Sequence, residues 1–248
     1  MRIAALYDIH GSLPALEAVL TDVSRTDVDL ILCGGDVFPG PMARECLLLL
    51  QAQRTPVQYI MGNGDREVLA ARNGTMSDMI PAAFRDAMHW CAAQVSDAEA
   101  ELIAEWPLKL SIDADGVGPV VFCHATTQND TTIVTRLTPD RLLRPWVDAL
   151  PSGTTVVCGH THMQFDRTVC GVHIVNAGSV GMPYGTTRAC WLLLDQSISL
   201  RQTEYDIETA ARRVRATDYP QAVSFAAGSI LQPPAEADML AKFTPASG

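Results

Sequence analysis

Five short segments of the 248-residue chain carry side chains that can donate electron pairs to a cation. They are Asp8-Ile9-His10, Gly34-Gly35-Asp36, Gly62-Asn63-Gly64-Asp65, Cys123-His124 and Gly159-His160-Thr161-His162. Carboxylate, imidazole and amide oxygen together suit Mn²⁺, iron or Zn²⁺ better than Ca²⁺ or Mg²⁺, whose shells are built from oxygen. The donors suffice for two ions. A pair of ions roughly 3.5–4 Å apart polarises phosphoryl oxygens and lowers the pKa of a bound water to about 7, which suits in-line displacement at phosphorus. A single Asp or His at a strand end more often caps its own loop. The reading therefore rests on the set.

Each donor segment follows a short apolar run: "IAALY" at 3–7, "LILC" at 30–33, "VQYIM" at 57–61, "VVFC" at 120–123 and "TVVC" at 155–158. Runs of this length bounded by turn residues read as buried strands. In an open α/β sheet the carboxyl ends of parallel strands share one edge, so donors more than 150 positions apart in sequence can converge there. On extended backbone, residues i and i+2 point the same way. Asp8 with His10, and His160 with His162, are thus expected to act as pairs, with Thr161 turned away.

Between the early strands, Leu13, Leu16, Leu20 and Val23 repeat at helical spacing, and Pro41 can open a helix carrying Leu47, Leu48 and Leu50. Strands alternating with helices imply a largely parallel, doubly covered sheet. From Glu67 to about Trp106 the alternation breaks into two helices in series, read as an insertion. One has Phe84, Met88, Cys91 and Val95 on a face, and the other is opened by the capping box Ser96-x-x-Glu99. Core packing is the default for Phe84, Met88 and Trp106, with a substrate-selecting cap as the alternative. Thr138-Pro139 can open a helix that Pro145 should kink. Beyond Arg167 the chain reads as strands: "TVCGVHIV" as a hairpin, then "ACWLLLD" and "ISLRQTEYD" around a turn near Gln196. Residues 207–248 read as a helical tail packed on the same domain, with "QPPAEAD" as a linker and "TPASG" as a loose end.

The composition holds 48% hydrophobic residues, enough for a real core, and a formal charge of −10. That charge opposes non-specific binding to nucleic acid or to an anionic membrane. Seven dispersed cysteines without a C-x-x-C pair suggest neither a disulfide framework nor a thiolate zinc site, and a cytoplasmic location is the simplest expectation. The apolar run at the N-terminus is too short for a signal segment or a membrane span.

In this order, D-x-H, G-D, G-N-x-D, a lone His and G-H-x-H resemble the calcineurin-like metallophosphoesterase superfamily over roughly residues 1–205. Length, "GNGD" and "NAGSVGMP" at 176–183 are most similar to its small bacterial and archaeal phosphodiesterases. The resemblance implies a four-layer α/β/β/α sandwich, here a domain over 1–206 with the helical insertion at 67–106. It implies Asp8, His10 and His162 on one metal, Asn63, His124 and His160 on the other, and Asp36 bridging both. The cofactors would be two divalent transition-metal ions, manganese foremost, with iron, zinc, cobalt or nickel as alternatives. The reaction would be attack on phosphorus by a hydroxide bridging the ions, with Asp36, Asn63 and His160 as the catalytic set.

Position 64 departs from the pattern, because many larger relatives place a histidine there that can assist the leaving group. Gly64 supplies no proton, which favours phosphodiesters or activated monoesters. Arg66 and Asn129 are the candidate substrate contacts, Thr126 and Asp130 lie in the same loop, and Asp65, Asn176 and Ser179 are expected to brace the ligands. His89 reads as structural and His173 has no assigned role. The substrate would be a small phosphate ester, a nucleotide included, and a homo-oligomer is compatible with the sequence. Alternatives are a dinucleoside polyphosphate hydrolase, a protein phosphatase, or a non-catalytic metal-binding scaffold or nucleotide sensor.

Overall fold

No residue of Ile3–Leu6 is polar, and all four are buried. A strand of this kind must be covered on both faces. In the computed structural model, which describes residues 1–244 apart from Met79, it is. Ile3 and Ala5 of this first strand, β1, face a second sheet together with Tyr7 just beyond it. Ala4 and Leu6 face a layer of helices. The period of two along one strand thus supplies two cores.

Five strands form the first sheet: β1, β2 (Leu30–Cys33), β3 (Val57–Tyr59), β9 (Ala189–Leu194) and β10 (Ile198–Thr203), in the order β10-β9-β1-β2-β3. The second sheet holds β4 (Lys109–Ala114), β5 (Gly118–Cys123), β6 (Thr155–Cys158), β7 (Phe165–Val169) and β8 (Val172–Asn176), in the order β4-β5-β6-β8-β7. Val120, Phe122, Val157 and Val175 meet Ile3, Ala5, Leu32 and Leu192 between the sheets. Helices cover both outer faces, so the four-layer sandwich is present.

The expected predominance of parallel pairing is corrected. β1–β2, β2–β3, β5–β6 and β6–β8 are parallel, whereas β1–β9, β9–β10, β4–β5 and β7–β8 are antiparallel. Short turns join β4 to β5, β7 to β8 and β9 to β10, and a short turn can only join antiparallel neighbours. Strand β4 lies beyond the sequence reading: Leu110, Ile112 and Ala114 reach the inter-sheet core, alternating with exposed Lys109, Ser111 and Asp113.

The helices are α1 (Leu13–Val23), α2 (Ala43–Gln51), α3 (Asn63–Arg72), α4 (Ala82–Gln94), α5 (Asp97–Ala104), α6 (Asp140–Val147), α7 (Ile207–Arg215), α8 (Ala222–Phe225) and α9 (Glu236–Phe243), with a π-helical segment at Ala226–Leu231 after α8. Between β3 and β4 there are therefore three helices, not two, and the first starts at Asn63. Ser96 and Glu99 form the expected capping box, and the single Nε–H of Arg44 is shared between the two Glu99 carboxylate oxygens at 3.0 and 3.1 Å, tying α5 to the N-terminal end of α2. Helix α6 runs through Pro145 as one element, and Leu143, Trp146 and Val147 bury its apolar face on the second sheet. Ala210, Val214, Tyr219, Phe225 and Ile230 join the core beneath the first sheet. The expected linker is shorter than read, since Glu236 already begins α9. Of "TPASG", residues 245–248 lie outside the described residues. No helix among the described residues is long and apolar enough to cross a membrane.

Candidate metal centre

Five of the six strands in parallel pairs, β1, β2, β3, β5 and β6, deliver the donors from their carboxyl ends. Asp8 and His10 follow β1, Asp36 follows β2, Asn63 opens α3 beyond β3, His124 follows β5, and His160 and His162 follow β6. All seven converge. Their local backbone differs from the expectation of extended pairs: φ is +52° at Asp8, +45° at His10, +57° at Asp36, +66° at His160 and +58° at His162. Left-handed turns, not strand alternation, aim these side chains. Such conformations cost of order 1–2 kcal/mol per residue and persist where the surroundings over-determine them.

Asp8 stands at the middle. Its Oδ2 accepts the His160 N–H at 2.8 Å, while the fully buried Oδ1 has no hydrogen-bond partner. That oxygen lies 3.4 Å from Nε2 of His162, 3.8 Å from Nε2 of His124 and 4.0 Å from Nε2 of His10. Oδ2 of Asp36 lies 3.5 Å from Nε2 of His124 and 3.6 Å from Nε2 of His10, while its Oδ1 accepts from Gly64 N at 2.7 Å. Donor atoms of Asp8, His10 and His162, and of Asp8, Asp36 and His124, fall within 4.8 Å of one another. A Cβ on Gly159 would sit 2.4 Å from Asp8 Oδ2, so glycine there is what lets the loop close on the carboxylate.

The outer ring nitrogens settle which way the imidazoles present themselves. Nδ1 of His10 donates to the Pro39 carbonyl (3.2 Å), Nδ1 of His124 to Gly34 (3.0 Å), Nε2 of His160 to Thr131 (3.1 Å) and Nδ1 of His162 to Met182 (2.9 Å). A carbonyl can only accept, so each ring must carry its proton there and turn a lone pair inward. Nε2 of His10 and of His162 face each other at 3.3 Å. The Asn63 amide oxygen lies 3.1 Å from Nε2 of His124, 2.9 Å from Nδ1 of His160 and 3.1 Å from the Asp130 carbonyl oxygen. Turned over, the amide would donate toward all three and accept from Gly64 N at 3.2 Å, so either orientation keeps Asn63 at the edge of the cluster. An orphaned carboxylate oxygen with imidazole nitrogens facing it fits divalent cations.

Charge in the cluster follows the same geometry. Burial raises the Asp8 carboxyl, but His162, His124 and His10 outweigh it and hold the group well below the usual carboxylate range. Burial lowers His10 despite Asp36, and burial followed by the neighbouring His124 brings His160 down to about 4. Burial also opposes charge on His124 and His162, where the nearby carboxylates win and raise both. Asp65 is pushed up to about 8 by burial and Asp36, against three backbone donors.

Those donors give Asp65 its role: it accepts from the N–H groups of Asp36 (2.7 Å), Phe38 (2.9 Å) and Gly62 (3.1 Å), clamping the Asp36 loop to the start of α3. Asn176 donates to the Gly159 carbonyl at 2.6 Å and to Thr161 Oγ1 at 3.1 Å, and Thr161 turns away to bond Val134. Ser179 Oγ donates to the Asp8 carbonyl at 2.7 Å. Sequence reasoning missed Tyr184, whose ring stacks on His162 at 5.3 Å and is backed by Phe243 of α9. No periodic or motif signal marks it.

The candidate substrate contacts are placed differently from the metal donors. Arg66 grips Asp130 through Nε (2.7 Å) and one terminal nitrogen (3.2 Å), and its other terminal nitrogen bonds Glu67 at 2.6 Å. The Asn129 side-chain oxygen accepts from the N–H and hydroxyl groups of Thr131 and Thr132, and the Thr126 hydroxyl accepts from the Gln128 and Asn129 N–H groups, so both shape their own loop. Neither Arg66 nor Asn129 lines the cavity over the site. That cavity, about 240 Å³, is bounded on the metal side by His10, Asp36, Asn63 and His160, and on the far side by Phe84, Met88, Tyr219 and Phe225. Phe84 and Met88 thus face the cavity, whereas Trp106 stacks on Tyr59 at 4.8 Å in the core. His89 faces solvent, and His173 pairs with Asp166 at 2.6 Å.

Residues 1–197 match the profile of the calcineurin-like phosphoesterase superfamily domain. A metallophosphoesterase structure from Sphaerobacter thermophilus is 25% identical, covers 93% of this chain and 99% of its own, and superposes with a TM-score of 0.70. A hypothetical protein of Pyrococcus horikoshii shares the fold at a TM-score of 0.75 and 18% identity, over 91% of this chain and 97% of its own. An uncharacterized protein of Methanocaldococcus jannaschii is 26% identical over 239 residues, 88% of this chain and 94% of that protein.

Proposed function

This chain belongs to the calcineurin-like phosphoesterase superfamily and is a metal-dependent phosphoesterase, and from that premise we propose that it hydrolyses phosphodiesters, or monoesters with activated leaving groups, at a binuclear centre. Asp8, His10 and His162 would hold one ion, Asn63, His124 and His160 the other, and Asp36 would bridge them. When bound, such a pair supplies Lewis-acid polarisation of the phosphoryl oxygens and lowers the pKa of the attacking water. Manganese is the favoured metal. Six buried and one exposed free thiol support a cytoplasmic setting.

The protein's own contribution is fixed geometry. Backbone carbonyls hold one ring N–H of each of the four imidazoles and leave the other ring nitrogen facing the cluster, where it can bind a cation once deprotonated. Gly64 N–H fixes Asp36 Oδ1, which leaves Oδ2 directed at His10 and His124.

The observation that favours diesters is at Gly64. A Cβ there would meet the Phe38 carbonyl oxygen at 2.3 Å and Pro39 Cδ at 2.9 Å. This position therefore has no room for an imidazole that would protonate a poor leaving group, and a monoester dianion needs that help most. The intact donor set argues against a pure scaffold.

The test is hydrolysis of bis(p-nitrophenyl) phosphate beside p-nitrophenyl phosphate by chelator-stripped protein, with and without added Mn²⁺. Metal-dependent cleavage, faster on the diester, is expected. Faster monoester cleavage, or no turnover by protein carrying two ions, would overturn the proposal.

A further inference from the structure

The wall opposite the metal donors comes from two distant parts of the sequence. Helix α4 contributes Phe84 and Met88, and the segment around α8 contributes Tyr219 and Phe225. The two parts are joined: Gln221 donates its amide to the Ala83 carbonyl, Trp90 meets the Tyr219 ring edge-on at 5.4 Å, and Tyr219 meets Phe225 at 6.3 Å. Phe84 nevertheless leaves half of its surface, 50%, in solvent at the mouth. Exposed aromatic area beside a cluster of ligand-grade polar groups marks a place for an apolar ligand group.

What the wall lacks is equally specific. Among the described residues, no lysine or arginine lines the cavity. Arg66, the nearest in sequence to Asn63, is held by Asp130 and Glu67. A polyphosphate chain would bring charges beyond those two ions can balance, and each would be desolvated against phenyl and thioether surface. A nucleobase would bring several polar edges, whereas this wall is built mainly of phenyl and thioether surface and Gln221 already gives one of its two amide N–H groups to Ala83.

Resting on the phosphodiesterase reading, we propose that this wall is a subsite for an apolar ester group, so that the substrate is a monoanionic phosphodiester bearing an alkyl or aryl alcohol rather than a nucleotide or polyphosphate. The phosphate would sit on the metal side and the apolar group between Phe84, Met88 and Phe225. Tyr219 and the Ala83–Gln221 link hold α4 and the C-terminal segment at the spacing the group requires.

The experiment measures binding, so it does not depend on turnover. The Mn²⁺-loaded full chain is titrated calorimetrically with dimethyl, diethyl and dibutyl phosphate, and with the methyl ester of adenosine 5′-phosphate, which has the same single charge. Each methylene taken from water contributes about 0.8 kcal/mol, so Kd should fall roughly three- to fourfold per methylene until the wall is filled. Dibutyl phosphate should bind more tightly than the nucleoside diester. Phe84→Ser, at a half-exposed position that leaves the fold intact, should shrink the dibutyl-to-dimethyl affinity ratio. Equal affinities along the series, tighter binding of the nucleoside diester, or an unchanged ratio in folded Phe84→Ser would each overturn the inference. Failure of the phosphodiesterase reading would show separately, as absent cleavage of bis(p-nitrophenyl) phosphate.

Discussion

One carboxylate oxygen of Asp8 accepts the backbone N–H of His160 at 2.8 Å across 152 residues of sequence, and the other, fully buried, accepts no hydrogen bond. The first contact locks the end of the first sheet to the end of the second. The second oxygen is what the lock positions, with the Nε2 atoms of three imidazoles turned toward it.

Asp8→Asn should keep an oxygen for His160 N–H and lose the charge that faces the imidazoles. Loss of a residue that merely supports a metal ligand costs 10–100-fold in metal affinity or activity, so loss of Asp8 should exceed about 100-fold. Elemental analysis should show fewer than two ions per chain. Wild-type metal content with wild-type turnover would remove Asp8 from the centre.

Gly64→His should not create a better monoesterase. Its Cβ would meet Phe38 O at 2.3 Å and lie 3.1 Å from Asp36 Oδ1, so the substitution should cost about 1–3 kcal/mol of stability and disturb the Asp36 carboxylate. Thermal melts and p-nitrophenyl phosphate assays check both parts. A variant as stable as the wild type with raised monoesterase activity would refute this account of position 64.

The Arg44–Glu99 pair gives a pH dependence with a defined sign. Burial raises the Glu99 carboxyl, but Arg44 and the Ser96 cap outweigh it and leave it below 4.5. A depressed carboxylate stabilises the fold above its unfolded pKa, and that contribution is lost as pH falls through the folded value. Glu99→Gln should therefore lower stability by about 1 kcal/mol near pH 7, or roughly 2–4 °C in Tm, and by less near pH 3. A gap of equal size at both pH values would contradict it.

The donor positions were legible because each ends an apolar run and strand ends in parallel sheets converge. Backbone conformation was not: Asp8, His10, Asp36, His160 and His162 all take left-handed φ, and nothing in D-x-H or G-H-x-H distinguishes that from an extended pair. The antiparallel edges were partly hidden, because the inward residues of β4 are only Leu110, Ile112 and the small Ala114, set between polar neighbours. Arg66 looked free for phosphate until Asp130, 64 residues away, proved to hold it bidentately. Tyr184 and Tyr219 gain their positions from tertiary packing, to which local spacing is blind.

The most direct test of the binuclear centre is anomalous diffraction at the manganese edge from crystals of chelator-stripped, Mn²⁺-reloaded protein. The proposed assignment predicts two peaks roughly 3.5–4 Å apart, one among Asp8, His10 and His162, the other among Asn63, His124 and His160, with Asp36 between. A single peak, or peaks away from these side chains, would contradict it.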